Sequence, residues 1–104
     1  MQSVSVSKLA TLIENSPPVL LDVREPWEFD TCHIAGSINI PMGRIPQQMS
    51  SIDAQKDTVV ICHHGIRSRQ VILFLQQHDF KNMINLEGGV DAWAREIDSQ
   101  MPVY

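Results

Sequence analysis

Apolar and polar positions follow two periods along this chain. Val19-Leu20-Leu21, Ile38-Asn39-Ile40, Thr58-Val59-Val60-Ile61-Cys62 and Asn82 to Leu86 are short aliphatic runs, each ending where charge, proline, histidine or glycine begins. Such runs predict buried strands. Ser3 to Val6, where serine alternates with valine, predicts a further strand at a sheet edge. Between these lie stretches of helical spacing: Lys8 to Glu14 with Leu9, Leu12 and Ile13 on one face, Arg69 to His78 with Val71, Ile72, Phe74 and Leu75, and Val90 to Ile97 with Ala92 and Trp93. Ser7 is placed to cap the first helix, and Asn15-Ser16-Pro17-Pro18 stops it, because consecutive prolines cannot continue a helix. Pro26 opens a short helix through Phe29, and Arg44 to Ser51 is helical with Pro46 confined to its first turn. Strands alternating with helices at this spacing predict an α/β fold with a central, mostly parallel sheet flanked by helices on both faces.

Composition narrows the class. The chain has 104 residues, 43% apolar and 19% charged, which suits one globular domain spanning 1–104 with one core and one site. A net charge of −4 provides no basic footprint, so nucleic acid is excluded as a partner class. No run reaches membrane-spanning length, and Met1 to Lys8 lacks the apolar core of a secretory signal. The two cysteines, Cys32 and Cys62, stand thirty positions apart with no C-x-x-C spacing, so a reducing compartment is expected. Together these features predict a cytoplasmic protein with no membrane partner.

The candidate chemistry is concentrated in Cys62-His63-His64-Gly65-Ile66-Arg67-Ser68. The spacing predicts strand, loop, helix, with the sulfur at the strand's carboxyl end, where open α/β sheets bind ligands. Gly65 permits a tight turn whose N–H groups converge on one point, the following helix start adds its dipole, and Arg67 and Arg69 add positive charge. Such a field stabilises a sulfur anion, the reactive form of a thiol. A phosphatase loop would require an arginine at the sixth position after the cysteine, but here that position is Ser68. The shorter cradle suits a single added sulfur atom better than a phosphate. A metal site on Cys62, His63 and His64 is not expected, because adjacent residues diverge and neither His33 nor His78 completes a ligand pair. No cofactor is called for.

Four separated segments resemble the single-domain rhodanese family of sulfurtransferases. Asp22-Val23-Arg24-Glu25 resembles its "DVR" strand end, and His33-Ile34-Ala35-Gly36-Ser37-Ile38-Asn39-Ile40-Pro41 resembles its "GHIPGAxNIP" segment. Cys62 to Ser68 resembles its active loop, and Leu86-Glu87-Gly88-Gly89-Val90-Asp91-Ala92-Trp93 its closing "L-x-GG-x-x-AW". The resemblance runs from about Ser5 to Ile97. It departs at Cys32, where glycine is usual, and at Ala35, where proline is usual.

The resemblance implies a reaction in which Cys62 takes a sulfane sulfur from a small anionic donor, thiosulfate, and passes it to cyanide or a thiol. His63, His64, Gly65, Ile66, Arg67 and Ser68 would bind the substrate and the transferred sulfur. Arg67 would attract the donor, and Asp22 and Arg24 would brace the loop through buried charge-assisted hydrogen bonds. Glu25, Trp27 and Glu28 are expected to be structural or solvated, and Trp93 to lie in the core. A persulfide carrier or sensor loaded by a partner protein is the alternative; an inactive interaction domain is disfavoured by the intact loop. 3-Mercaptopyruvate is disfavoured as donor, because His63-His64 stands where its enzymes carry Gly-Ser. Cys32 is expected to be a bystander, the sharper alternative being a thiol that reaches Cys62.

Overall fold

The computed structural model describes residues 1–104. Five strands, β1 (Gln2–Val4), β2 (Val19–Asp22), β3 (Ile38–Asn39), β4 (Thr58–Ile61) and β5 (Met83–Leu86), form one sheet in the order β1-β5-β4-β2-β3. Every pairing is parallel. The helices are α1 (Val6–Asn15), α2 (Pro26–Thr31), α3 (Ile45–Gln48), α4 (Ile66–Gln76) and α5 (Gly89–Glu96), with 3₁₀ turns before and after α3.

Alternation along the strands sends successive side chains to opposite faces. Leu20, Val59, Ile61 and Leu86 meet Val6 and Leu9 of α1 and Val90, Trp93 and Ala94 of α5. On the other face Leu21, Val60 and Met83 meet Ile45 of α3 and Val71, Ile72 and Leu75 of α4. The fold is therefore the α/β layer arrangement expected, with all strands parallel.

Several boundaries differ from the pattern. Val6 is the first residue of α1 instead of the last of β1, and its side chain is buried. The cap is accordingly Ser5, whose hydroxyl accepts from the Lys8 N–H at 3.1 Å, and not Ser7. Helix α4 begins at Ile66, three residues before Arg69. Ile66, Arg67 and Ser68 are its first turn; Ile66 is exposed and so leaves no apolar periodicity to read. The predicted helix at Arg44 to Ser51 is one short α segment between two 3₁₀ turns.

Strand order positions the site. The chain leaves β2 outward to β3 and leaves β4 the other way to β5, so the direction reverses between the adjacent strands β2 and β4. A crevice outside the carboxyl ends of such a strand pair is where doubly wound sheets bind ligands. Asp22-Val23-Arg24 leaves one side of it and Cys62 the other.

Candidate active site

Cys62 follows the last residue of β4 and is buried. The Gly65 N–H donates to its sulfur at 3.0 Å, and the Ser68 hydroxyl lies 3.3 Å from it. The turn that brings Gly65 N–H back requires φ of +104°, accessible to glycine without strain. The Ser68 hydroxyl donates in turn to Asn85 Oδ1, and Asn85 Nδ2 donates to the Gly65 carbonyl at 3.3 Å. Asn85 is a buried residue of β5 that closes the ring of contacts from outside the loop. The loop's outer wall is α5: Val90 N–H bonds the Cys62 carbonyl at 3.0 Å and Asp91 N–H the His63 carbonyl at 3.1 Å. Gly89 permits this approach, since a Cβ there would collide with both of those carbonyl oxygens.

Arg67, half-buried, reaches across to α2, where both its terminal nitrogens donate to Glu28, at 2.7 and 2.8 Å. Glu28 also caps its own helix, accepting from the Glu25 N–H at 2.9 Å. The Arg67 guanidinium holds the Glu28 carboxyl at a pKa of about 2, against the opposing effect of burial. Glu28 likewise raises Arg67. Arg69 is exposed and forms no ion pair.

Asp22 and Arg24 are fully buried and paired at 2.7 Å. Arg24 also donates to the Cys32 carbonyl at 2.7 Å, the Glu28 carbonyl at 3.2 Å and the Tyr104 hydroxyl at 2.8 Å. The Tyr104 hydroxyl donates to Glu28 Oε1 at 2.9 Å. A continuous path thus runs Asp22, Arg24, Tyr104, Glu28, Arg67 to the loop. Burial pushes the Tyr104 phenol up to about 12, so it remains a donor across the ordinary pH range. Its ring stacks on His63, centroids 4.1 Å apart and planes 4° from parallel. Burial lowers the His63 pKa, and the neighbouring His64 lowers it further.

The tertiary structure thus brings Cys62, Gly65 and Ser68 together and directs Arg67 into an ion pair. Ile66 and His64 stay exposed. Asp22 and Arg24 are joined by buried charge-assisted hydrogen bonds and connect to the loop through Tyr104 and Glu28. Cys32 belongs to the core under α1 and α5, whereas Cys62 belongs to the opposite one, and both thiols are free. The sheet stands between them, so a direct Cys32–Cys62 reaction is not built into this fold. Asn85 and Tyr104 carry no local signal in the sequence, and Glu28, expected only to be structural or solvated, is a buried partner of Arg67; its one local signal is its place three residues after Glu25, the spacing of a capping box.

These features define an all-parallel α/β protein organised around a cysteine loop at the sheet's switch point. Residues 5–96 match the sequence profile of the rhodanese-like domain, and the chain belongs to that family. The putative sulfurtransferase YtwF of Bacillus subtilis is 37% identical over 97 residues, covering 92% of this chain and 93% of that protein. The adenylyltransferase and sulfurtransferase uba4 of Ogataea parapolymorpha is 32% identical over 99% of this chain, which spans 26% of that longer protein's length. A rhodanese-related protein from Thermoplasma volcanium superposes with a TM-score of 0.83 at 35% identity, covering 100% of this chain and 98% of that one. No helix is long and apolar enough to cross a membrane.

Proposed function

We propose that this chain is a sulfurtransferase that carries sulfane sulfur as a persulfide on Cys62, with thiosulfate as donor and cyanide or a thiol as acceptor. The Cys62 thiolate attacks the outer sulfur of thiosulfate. A bond forms between Cys62 Sγ and that sulfur while the donor's S–S bond breaks, and sulfite departs with the bonding electron pair. The acceptor then attacks the outer persulfide sulfur, taking it as thiocyanate or as a new persulfide and returning Cys62 to thiolate. This is the in-line displacement of thiol–disulfide exchange with a different leaving group.

The observation that carries the reading is the enclosure of Cys62 Sγ by the Gly65 N–H and the Ser68 hydroxyl. The first-turn N–H groups of α4, Ile66 to Ser68, have no intrahelical acceptors and are further donors for the transferred sulfur. Arg67 adds a cation beside the loop, and the Asp22–Arg24 pair steadies the frame behind it.

A second reading is a persulfide carrier or sensor loaded by a partner protein. It is favoured by Ile66, 69% exposed at the start of α4, and Trp27, 62% exposed in α2, two apolar side chains available for protein contact. The uba4 relative, named both an adenylyltransferase and a sulfurtransferase, agrees with such a role.

The test is intact mass after the reduced protein is mixed with excess thiosulfate and desalted, with Cys62→Ser as control and cyanide added last. A gain of one sulfur atom, absent in the variant and erased by cyanide, is expected. No gain with thiosulfate would shift the assignment to the partner-loaded carrier.

A further inference from the structure

His63 and His64 are adjacent in sequence and gain a third polar companion only on folding. Helix α5 docks on the loop through the Cys62 and His63 carbonyls, which brings Asp91 alongside both imidazoles. One ligand atom from each of the three residues lies within 4.8 Å of the others. His64 Nε2 is 3.9 Å from Asp91 Oδ2.

We propose that His63, His64 and Asp91 form a binding site for one divalent transition-metal ion, Zn²⁺ being the natural occupant, at the junction of the persulfide loop and α5. Two imidazoles and a carboxylate are a donor set that zinc takes, leaving its fourth position to water. At tetrahedral zinc, ligand atoms bound at about 2.1 Å stand about 3.4 Å apart, so the widest separation here closes by at most about 1.4 Å.

The freedom to close is unevenly distributed, as a binding site requires. His63 is held by its stack on Tyr104, and its buried Nε2 has no hydrogen-bond partner. A buried ring nitrogen without a partner is satisfied by an ordered water or by an ion. His64 is 58% exposed and free to turn, its ring now 31° from that of His63 with centroids 4.0 Å apart. Asp91 Oδ2, the oxygen 3.9 Å from His64 Nε2, also accepts from Arg95 Nε at 3.0 Å, which orients the carboxylate toward the imidazoles, and an ion bound there shares that oxygen with the guanidinium. Cys62 is not a ligand in this arrangement, because its sulfur is directed to Gly65 and Ser68 on the α4 side.

The experiment titrates Zn²⁺, and separately Co²⁺, into the full chain carrying Cys62→Ser. With the thiol absent, the result does not depend on the sulfur-transfer reading. Equilibrium dialysis should show one saturable Zn²⁺ per chain, and Co²⁺ should develop the visible absorption of a low-coordinate nitrogen–oxygen site. His64→Ala and Asp91→Asn should each weaken binding at least about tenfold, with circular dichroism showing the fold retained. His33→Ala and His78→Ala should leave it unchanged. Absence of one-to-one binding, binding undiminished in Asp91→Asn, or binding lost with His33 or His78 would each overturn the site.

Discussion

Arg67 of the loop helix and Glu28 of α2, thirty-nine residues apart in the chain, meet through two parallel hydrogen bonds of 2.7 and 2.8 Å. Glu28 is only 4% exposed, so removing Arg67 leaves a buried carboxylate with no counter-charge, held only by the Tyr104 hydroxyl and the Glu25 N–H. Arg67→Ala is expected to destabilise the fold by about 2 kcal/mol or more, and Arg67→Lys by less because a charge remains. Urea unfolding of the three proteins checks this. On the proposed function, Arg67→Ala also weakens thiosulfate use more than it shortens persulfide lifetime. Thiosulfate kinetics equal to wild type would remove Arg67 from donor binding.

The same pair predicts a pH dependence. The Glu28 carboxyl lies at about 2 in the folded chain, below its ordinary 4.5, so its contribution is present in full above the ordinary value. It is lost as pH falls from there toward 2, and amounts to about 3 kcal/mol. Stability measured by urea titration should therefore fall across this acid window. Glu28→Gln, starting from a lower plateau, should show a shallower acid slope.

Tyr104 joins the two buried charge clusters through one hydroxyl. Tyr104→Phe keeps the stack on His63 and deletes both bonds, leaving Arg24 and Glu28 each short of a partner. A loss of about 1–3 kcal/mol is expected. Because Tyr104 and Glu28 share that bond, Tyr104→Phe and Glu28→Gln should be non-additive in a double-mutant cycle. Strict additivity would mean the hydroxyl is not part of the relay.

Ser68 stands between the sulfur and Asn85, 3.3 Å from Cys62 Sγ and hydrogen-bonded to the Asn85 amide oxygen. Ser68→Ala removes one of the two groups touching the sulfur and leaves that buried oxygen unpaired. Stability should fall by about 1–3 kcal/mol. The one Ser68 hydroxyl proton is given to Asn85 Oδ1, so its loss acts on the thiolate by loosening the loop, and the rate of persulfide formation, followed by quenched-flow mass measurement, should fall by about tenfold or less.

Gly89 is the point at which α5 touches the loop. A Cβ there strikes the Cys62 and His63 carbonyls, and φ is +58°. Gly89→Ala should cost about 2 kcal/mol or more by overpacking and backbone strain. Gly36→Ala, where φ is also positive but the space is open, should cost less. Thermal unfolding of the two variants gives the comparison.

Local order determined what the sequence shows by itself. The aliphatic runs that became β2, β4 and β5 are legible because a strand buried on both faces requires apolar residues throughout, and Pro17-Pro18, Gly65 and Gly88-Gly89 mark the breaks because backbone sterics act within a few residues. The loop from Cys62 to Ser68 is legible for the same reason: its glycine, serine and arginine lie within seven consecutive positions. The start of α4 was hidden because exposed Ile66 and inward-facing Ser68 invert the usual pattern. Only the tertiary structure decided that Arg67 pairs with Glu28, that Asn85 holds Ser68, that Tyr104 bridges Arg24 to Glu28 and that Asp91 stands beside His63 and His64. Those partners lie 17 to 80 residues apart where a hydrogen bond joins them. Charge and hydrogen-bond complementarity at such separations has no period along the chain, and arises only when the parallel sheet brings the carboxyl ends of β2, β4 and β5 to one edge.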